Sequence, residues 1–185
     1  DQVVVFQKMF EQVRKEQNFS WFYSELKHHR IAHYIYYLAT DNIRIITHDD
    51  TVLLLRGTRN LLKVSTTKNP AKIKEAALLH ICGKSTFREY CSTLAGAGVF
   101  RWVTDVNHNK RSYYAIDIGG WTVDVITFIN NELDNTKCDS KPLGILPMYE
   151  SIIKHVEEET GKRITKDIIG SILAGKPTLV PEGIK

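Results

Sequence analysis

The segment from Asp117 to Asp124 has the composition of a phosphate-binding turn. Asp117 ends one apolar segment, Gly119 and Gly120 follow, and Thr122 begins the next segment. Glycines allow backbone N–H groups to approach a phosphate closely, and the Thr122 hydroxyl can donate to a phosphate oxygen. Asp117 is suited to holding magnesium through water or to orienting an attacking water. The same residues also fit an ordinary hairpin in which the two glycines only turn the chain.

Other groups of reactive side chains give weaker predictions. The run Gly-Lys-Ser at 83–85 resembles the end of a P-loop, but Leu78 stands where the first glycine is required. The histidines at 28, 29 and 33 lack the spacing of a zinc signature, so we predict no metal site. Cys82 and Cys91 lie in segments predicted to be helical, where a small buried side chain is a commoner role than a nucleophile.

The elements before Asp117 have the patterning of an α+β domain. Apolar residues at helical spacing, with start signals at Asn18 or Ser20 and at Asn69-Pro70, predict helices. Alternating β-branched and aromatic residues between short turns predict antiparallel strands. The helices are expected at 4–15, from 21 onwards, from 70 to near 83, and at 86–94. The strands are expected at 33–38, 43–47, 51–55, 61–65, 99–106 and 111–116.

The pattern changes after Ile116. Residues 122–128 alternate as a strand, Asn130-Asn131 is typical of a hairpin turn, and helices are predicted at 148–159 and 168–173. Thr165 is placed to cap the last helix. The fold class is therefore α+β, an antiparallel sheet with helices followed by a β-hairpin and two helices.

The aromatic residues of the first strands, such as Tyr34, Tyr36 and Tyr37, allow two interpretations. Most are expected in the core, while alternate strand residues must point outward. A sheet face with aromatic residues on one side can also serve as a binding surface.

Residues 115–185 resemble a fragment of the actin-like ATPases, in particular the ParM type of plasmid segregation. The resemblance rests on the sequence Asp-Ile-Gly-Gly-Trp-Thr-Val-Asp-Val at 117–125, on 143–145 and on the ending at 172–177. It implies that Asp117 is the catalytic residue. It also implies nucleotide contacts, with ATP and magnesium as ligands, from Gly119, Gly120, Thr122 and Gly144. An earlier phosphate loop and an adenosine pocket have no counterpart in residues 1–117, so the implied ATPase site is incomplete.

Residues 1–117 resemble a different group, the YbcV-like family of enterobacterial prophage proteins of unknown function, sometimes called phage envelope proteins. The resemblance rests on residues 18–23, 33–55 and 95–102. It implies a compact α+β domain and no known catalytic residues. The two resemblances meet inside the predicted strand 113–118. We therefore expect a chimera with domains at 1–117 and 118–185, in which the second packs into the first.

Charge and composition restrict the possible partners. Residues 1–117 carry 17 Lys/Arg and 11 Asp/Glu, a net +6, while the whole chain is +4. This surplus allows weak polyanion binding, although no nucleic-acid motif accompanies it. No apolar run is long enough for a bilayer, and three unpaired cysteines favour a reducing, cytoplasmic compartment.

Two functions follow from these observations. The first is a non-enzymatic interaction module with an unknown protein partner, no cofactor and an incomplete actin-like loop. The second is a ParM-type ATP-binding fragment.

Overall fold

The computed structural model describes residues 1–117, 122–136, 139–141 and 145–181. The chain divides into two compact units, residues 1–141 and residues 142–185. Within the described residues, the first unit contains four helices and eight strands, and the second contains two helices. This architecture confirms the predicted α+β class. The predicted boundary at 117–118 concerns the two family resemblances and stays a prediction.

The strands form a single antiparallel sheet. In the part of the chain that is described, their order is β3-β2-β1-β4-β5-β6-β7, and β8 also pairs with β6. Their bounds are β1 Ile31–Tyr37, β2 Asn42–Thr47, β3 Val52–Leu55, β4 Val99–Asp105, β5 Lys110–Asp117, β6 Thr122–Ile129, β7 Glu132–Leu133 and β8 Asp139–Lys141. Strands that are joined by a short turn must pair antiparallel. The sequence predicts this antiparallel pairing for the hairpins.

Asparagine and aspartate form the tight turns of this sheet. Asp41, Asp50 and Asn109 each have a positive φ. Asn130 and Asn131 both have a positive φ, as the favoured two-residue hairpin turn requires. These short polar side chains tolerate the left-handed region better than most residues do. The hairpin turn predicted at Asn130-Asn131 is therefore confirmed.

Four helices of the first unit begin at side-chain caps. Their bounds are α1 Gln2–Glu16, α2 Phe19–His28, α3 Pro70–Ile81 and α4 Phe87–Gly96. Asn18 Oδ1 accepts a hydrogen bond from the Trp21 amide, and Asn69 Oδ1 accepts one from the Lys72 amide. These two caps were predicted from the sequence. Thr86 begins α4 with a full capping box, in which its hydroxyl and the Glu89 carboxylate bond reciprocally to backbone amides.

One face of the sheet packs against these helices. Phe10 of α1 and Phe22 of α2 both contact the ring of Tyr34 on β1, with ring centroids 5.1 and 6.2 Å away. Tyr90 of α4 contacts Trp102 of β4 at 5.2 Å. All five residues are buried, so the aromatic residues of this face form the core, as the first interpretation expected.

The segment 61–65, predicted as a strand, is irregular in the structure. Its backbone makes isolated hydrogen bonds instead of a ladder, from Leu62 N to Ala39 O and from Ser65 N to Ala95 O. These two acceptors belong to different parts of the chain, so no single neighbouring strand is available for pairing. The strand prediction for 61–65 was therefore wrong.

Asp41, in the turn between β1 and β2, contacts three other parts of the first unit. Its carboxylate accepts hydrogen bonds from the Tyr36 hydroxyl and from the amides of Thr58 and Arg59. It also pairs with the Arg14 guanidinium of α1 at 3.2 Å. Its side chain is only 1% exposed. Burial alone raises the pKa of Asp41, but the Tyr36 hydrogen bond and the nearby Arg14 outweigh that effect and lower it.

The second unit contains α5, Ile145–Thr160, and α6, Lys166–Leu173. Both helices were predicted, and the Thr165 hydroxyl caps α6 by accepting from the Ile168 amide. Lys166 Nζ lies 3.1 Å from Glu150 Oε1, which ties α6 to α5. Among the described helices of the whole chain, none has the length and apolar character needed to cross a bilayer.

We expect Gly57→Ala to destabilise the protein severely. A methyl group at Gly57 would lie 2.3 Å from both the Cβ and the carbonyl oxygen of Asp41, and the latter belongs to the backbone. Overpacking of this kind costs at least about 3 kcal/mol in the free energy of unfolding, the upper end of its usual range. Urea denaturation followed by circular dichroism measures the loss.

Gly96→Ala provides the matched control for this substitution. A Cβ at Gly96 meets nothing within 4 Å, and this glycine lies in α4. Alanine should therefore leave stability unchanged or raise it by up to about 1 kcal/mol. Equal stabilities of the two variants would show that the segment after β3 does not lie tightly against Asp41.

Candidate functional site

The hairpin predicted to bind phosphate is formed by the adjoining ends of β5 and β6. Asp117 and Thr122 are cross-strand partners at this end. The Thr122 hydroxyl accepts a hydrogen bond from Lys68 Nζ at 2.8 Å, and the same ammonium group pairs with Asp124 at 2.9 Å. The structure thus brings together two predicted site residues and adds a lysine that the sequence did not indicate.

The other predicted nucleotide contacts lie outside the described residues. These contacts are Gly119, Gly120 and Gly144. The assignment of Asp117, of Thr122 and of these three glycines to a nucleotide site therefore stays a prediction.

A second group of side chains gathers around Arg111, on the helix-covered face of the sheet. The register places Arg111 of β5 opposite Thr104 of β4, and Thr104 opposite Tyr34 of β1. The neighbouring row of the same face contains Tyr36, Trp102 and Tyr113. Side chains two residues apart share a face of a sheet, so alternation alone brings these groups together.

Neutral oxygen atoms surround the Arg111 guanidinium. Its Nε donates to the Thr104 hydroxyl at 3.0 Å, one terminal nitrogen donates to Tyr34 at 2.7 Å, and the other donates to Tyr90 at 3.3 Å. Burial raises the pKa of Tyr90, whose hydroxyl is also hydrogen-bonded to that of Tyr113. The Tyr90 phenol is therefore uncharged at neutral pH. Among the described residues, no carboxylate lies within ion-pair distance of Arg111.

His80 of α3 lies beside this cluster. Its ring stacks on that of Tyr90 with centroids 3.9 Å apart and 7° between the planes, and the edge of Phe19 lies 4.8 Å away. Burial, with a smaller effect of the nearby Arg111, lowers the pKa of His80 to about 3. Within the described part of the chain, its Nδ1 has no hydrogen-bond partner. His80 is thus a neutral imidazole with an unused polar atom.

A polar cleft of about 630 Å³ opens over Arg111. Its walls come from α2, from α3 and from the β4–β5 and β6–β7 turns, and they include several amide side chains. Lys27 and Arg111 line it together with His80 and His108, and its described lining contains no Asp or Glu. The volume lies within the range typical of small-molecule sites. The charge distribution favours an anion.

A much smaller chamber of about 40 Å³ lies on the α1 and α4 side of the same residues. Its walls are mostly aromatic and include Phe87 and Trp102. Phe19, His80 and Arg111 line both the chamber and the cleft. The two spaces are therefore neighbours that share one wall.

Sequence reasoning missed the role of Arg111. The strand at 111–116 was predicted, but its arginine was not assigned to either face. Had Tyr113 and Ala115 been taken as inward residues, the alternation would have placed Arg111 inward as well. His80 was considered only as a partner for a cysteine, whereas the structure stacks it on Tyr90.

Two further sequence predictions concern metals and thiols. Within the described residues, no three His, Cys, Asp or Glu side chains come close enough to share a metal ion. Cys91 is buried, and burial raises the pKa of its thiol to about 11. This thiol is therefore protonated at neutral pH.

Comparison with known proteins defines the class of this domain. Residues 7–119 match a family described as "Protein of unknown function (DUF1398)", and the chain belongs to this family. A curated relative is the "Uncharacterized protein YbcV" of Escherichia coli (strain K12). It is 44% identical over 116 residues, which cover 63% of this chain and 85% of that protein. The predicted YbcV-like resemblance of the first segment is confirmed, while the actin-like resemblance and the chimera stay predictions.

We expect His80→Phe to change how stability depends on pH. Unfolded histidine has a pKa of about 6.5, whereas that of folded His80 is about 3. Between pH 6.5 and pH 3, His80 binds more protons in the unfolded chain than in the folded chain. Acidification therefore lowers the free energy of unfolding of the wild type, and the contribution of His80 is up to about 1.4 kcal/mol per pH unit. Phenylalanine keeps the stacked ring but cannot titrate.

Urea unfolding of both proteins at several pH values from 7 to 4 measures this effect. The stability of the wild type should fall more steeply than that of His80→Phe as the pH decreases. Parallel curves would show that His80 takes up a proton in the folded state as readily as in the unfolded state.

Proposed function

We propose that this chain is a non-enzymatic interaction module of prophage type, and that the cleft over Arg111 binds a small anion. The observation that carries this proposal is the guanidinium of Arg111, which belongs to a residue that lines the cleft. It contacts hydroxyl oxygens and the Trp102 ring but, among the described residues, no carboxylate. An ion pair with a carboxylate or phosphate is the usual means of compensating an arginine in such surroundings. A ligand of this kind would supply the missing negative charge.

The side chains of the cleft and chamber support binding rather than catalysis. A general base works best with a pKa near the working pH, whereas the pKa of His80 is about 3. Burial raises the pKa of Tyr23 to about 12, so this phenol keeps its proton. The tyrosine and threonine hydroxyls around Arg111 and the His80 imidazole are suited to hydrogen bonding with a ligand.

We expect wild-type protein to bind propionate or inorganic phosphate at millimolar concentration and Arg111→Met to lose that binding. Hydrogen bonds to a charged group contribute about 1.5–3 kcal/mol, so the affinity should fall by at least about tenfold. Methionine retains an unbranched side chain without the charge. Isothermal titration calorimetry and ¹H–¹⁵N NMR provide the dissociation constants.

Arg101→Met is the matched control for this loss. Arg101 is on β4 next to Trp102, so its side chain leaves the opposite face of the sheet, where the guanidinium lies 4.5 Å from the Tyr114 ring centroid. This variant should bind like the wild type. Equal affinities of wild type and Arg111→Met, or no binding by folded wild type, would refute the proposed anion site.

We also propose nucleotide binding at the β5–β6 hairpin as a second candidate function. A specific observation supports it, since the carboxylate of Asp117 and the hydroxyl of Thr122 are at facing strand ends and the Lys68 ammonium lies 2.8 Å from Thr122 Oγ1. A carboxylate, a hydroxyl and an ammonium beside a glycine pair are groups that can contact magnesium and phosphate.

Calorimetric titration with Mg-ATP and Mg-ADP tests this candidate. If the hairpin binds nucleotide, the wild type should show magnesium-dependent heat that is absent from Asp117→Ala. Arg111→Met should retain this heat, because it changes a residue at the other end of β5. Absence of binding by folded wild type at millimolar nucleotide would mean that the hairpin only turns the chain.

A further inference from the structure

Strand β3 is an edge of the described sheet, and it lacks features that commonly protect such an edge. In that sheet it pairs with β2 on one side only. Sheet edges are often guarded by a charge, a proline or a bulge, because their unpaired N–H and C=O groups can pair with another strand. The sequence of β3 is Val-Leu-Leu-Leu, and its register with β2 has no irregularity. This edge is therefore suited to accept a further strand.

The hydrogen-bond pattern shows which main-chain groups of β3 face outward. Thr47 N donates to Thr51 O across the β2–β3 turn, so the next β3 residue, Val52, belongs to a non-hydrogen-bonded pair. The two kinds of pair alternate along an antiparallel ladder, so Leu54 belongs to the same kind. The N–H and C=O groups of Val52 and Leu54 therefore point away from β2. These residues are also 50% and 56% exposed.

Exposed residues of opposite charge flank the strand. Asp50 precedes β3 in the turn, and Arg56 follows β3 directly. Among the described residues, neither side chain has an ion-pair partner. The edge thus has an acidic end, an apolar middle and a basic end.

We infer that β3 pairs with β3 of a second copy of this chain, antiparallel about a twofold axis at Leu53, so that two sheets join into one. Val52 then lies opposite Leu54 of the partner subunit, and the outward N–H and C=O groups of both residues bond to each other. The same register places Asp50 opposite Arg56 of the partner subunit. Symmetry provides this charge pair twice.

The order of charges along the edge favours a second copy as the occupant. An acidic, apolar, basic series is complementary to itself when the strand is reversed, and an antiparallel twofold arrangement reverses it. Moving the axis to Val52 or to Leu54 would place Asp50 or Arg56 opposite an apolar residue. The assembly also closes at two copies, because each subunit has a single β3 edge.

This inference is independent of the proposed anion site, since the described lining of the cleft contains no residue of β3. A failure to dimerise would therefore leave the anion-binding proposal untouched, and a failure to bind anions would leave the dimer untouched.

Sedimentation equilibrium of the full chain tests the dimer. One strand pair is a small interface, so we expect a dissociation constant between about 10 µM and 1 mM. Hydrogen exchange by NMR at both ends of this range locates the contact. The amides of Val52 and Leu54 should become protected as the concentration rises, whereas those of Leu53 and Leu55 are bonded to β2 at every concentration. A monomer up to 1 mM, or a dimer in which the Val52 and Leu54 amides exchange freely, would overturn the inference.

Leu54→Lys should weaken dimerisation by at least about tenfold, because a charge on an edge strand opposes pairing. Leu78→Lys is the matched control, since Leu78 is 50% exposed but lies on α3. This control should dimerise like the wild type, and circular dichroism verifies that both variants are folded. Equal dimerisation of Leu54→Lys and wild type would contradict the inference. The hydrogen-exchange result for the wild type decides the matter even if Leu54→Lys does not fold.

Arg56→Glu tests the register. It places two acidic residues opposite each other at both ends of the strand pair, so dimerisation should weaken by at least about threefold. Adding Asp50→Asn should restore part of the loss, because it removes the repulsion while asparagine tolerates the positive φ of this position. Unchanged dimerisation of Arg56→Glu would show that the assigned register is wrong.

Discussion

The buried carboxylate of Asp41 is the interaction on which the architecture of the first unit depends. A negative charge inside a protein is tolerated only with close partners, and Asp41 takes them from α1, from β1 and from the segment after β3. Helix, sheet and connecting segment are thus fixed relative to one another by a single group. Gly57 lies so close to Asp41 that no side chain fits between them.

Arg111 presents the opposite situation within the same unit. The guanidinium groups of Arg14 and Arg59 lie near the Asp41 carboxylate, whereas that of Arg111 is held by phenols and a threonine hydroxyl. Tyrosine hydroxyls orient a guanidinium and leave its charge in place. This difference in partners distinguishes the cluster around Asp41 from the cluster around Arg111. The group at Asp41 organises the fold, whereas the guanidinium at the cleft has no carboxylate partner among the described residues.

Local patterns predicted most of the secondary structure of this chain. Asn18 and Asn69 predicted helix starts because their side chains cap the first turn of a helix. Asn130-Asn131 predicted a hairpin turn because asparagine tolerates a positive φ. Both effects act within a few residues, so they can be recognised in the sequence alone. The segment 61–65 was mispredicted because its alternation had no neighbouring strand to pair with. The cluster at Arg111 depends on the register between β1, β4 and β5, which is a long-range property. Its members come from distant parts of the chain, and alternation within β5 is the sequence signal that could have identified Arg111.

The family match ends at residue 119, whereas the sheet continues through β6 and β7. Arg111, His80 and Tyr113 lie inside the matched range, but Phe128, Asn130 and Asn131 of the cleft wall lie beyond it. Strand β6 is joined to β5 by main-chain pairing along all eight residues of β5, and such pairing makes few demands on side-chain identity. A different terminal hairpin can therefore attach to the same edge. Exchange of this hairpin would change one wall of the cleft and leave Arg111, on β5, in place.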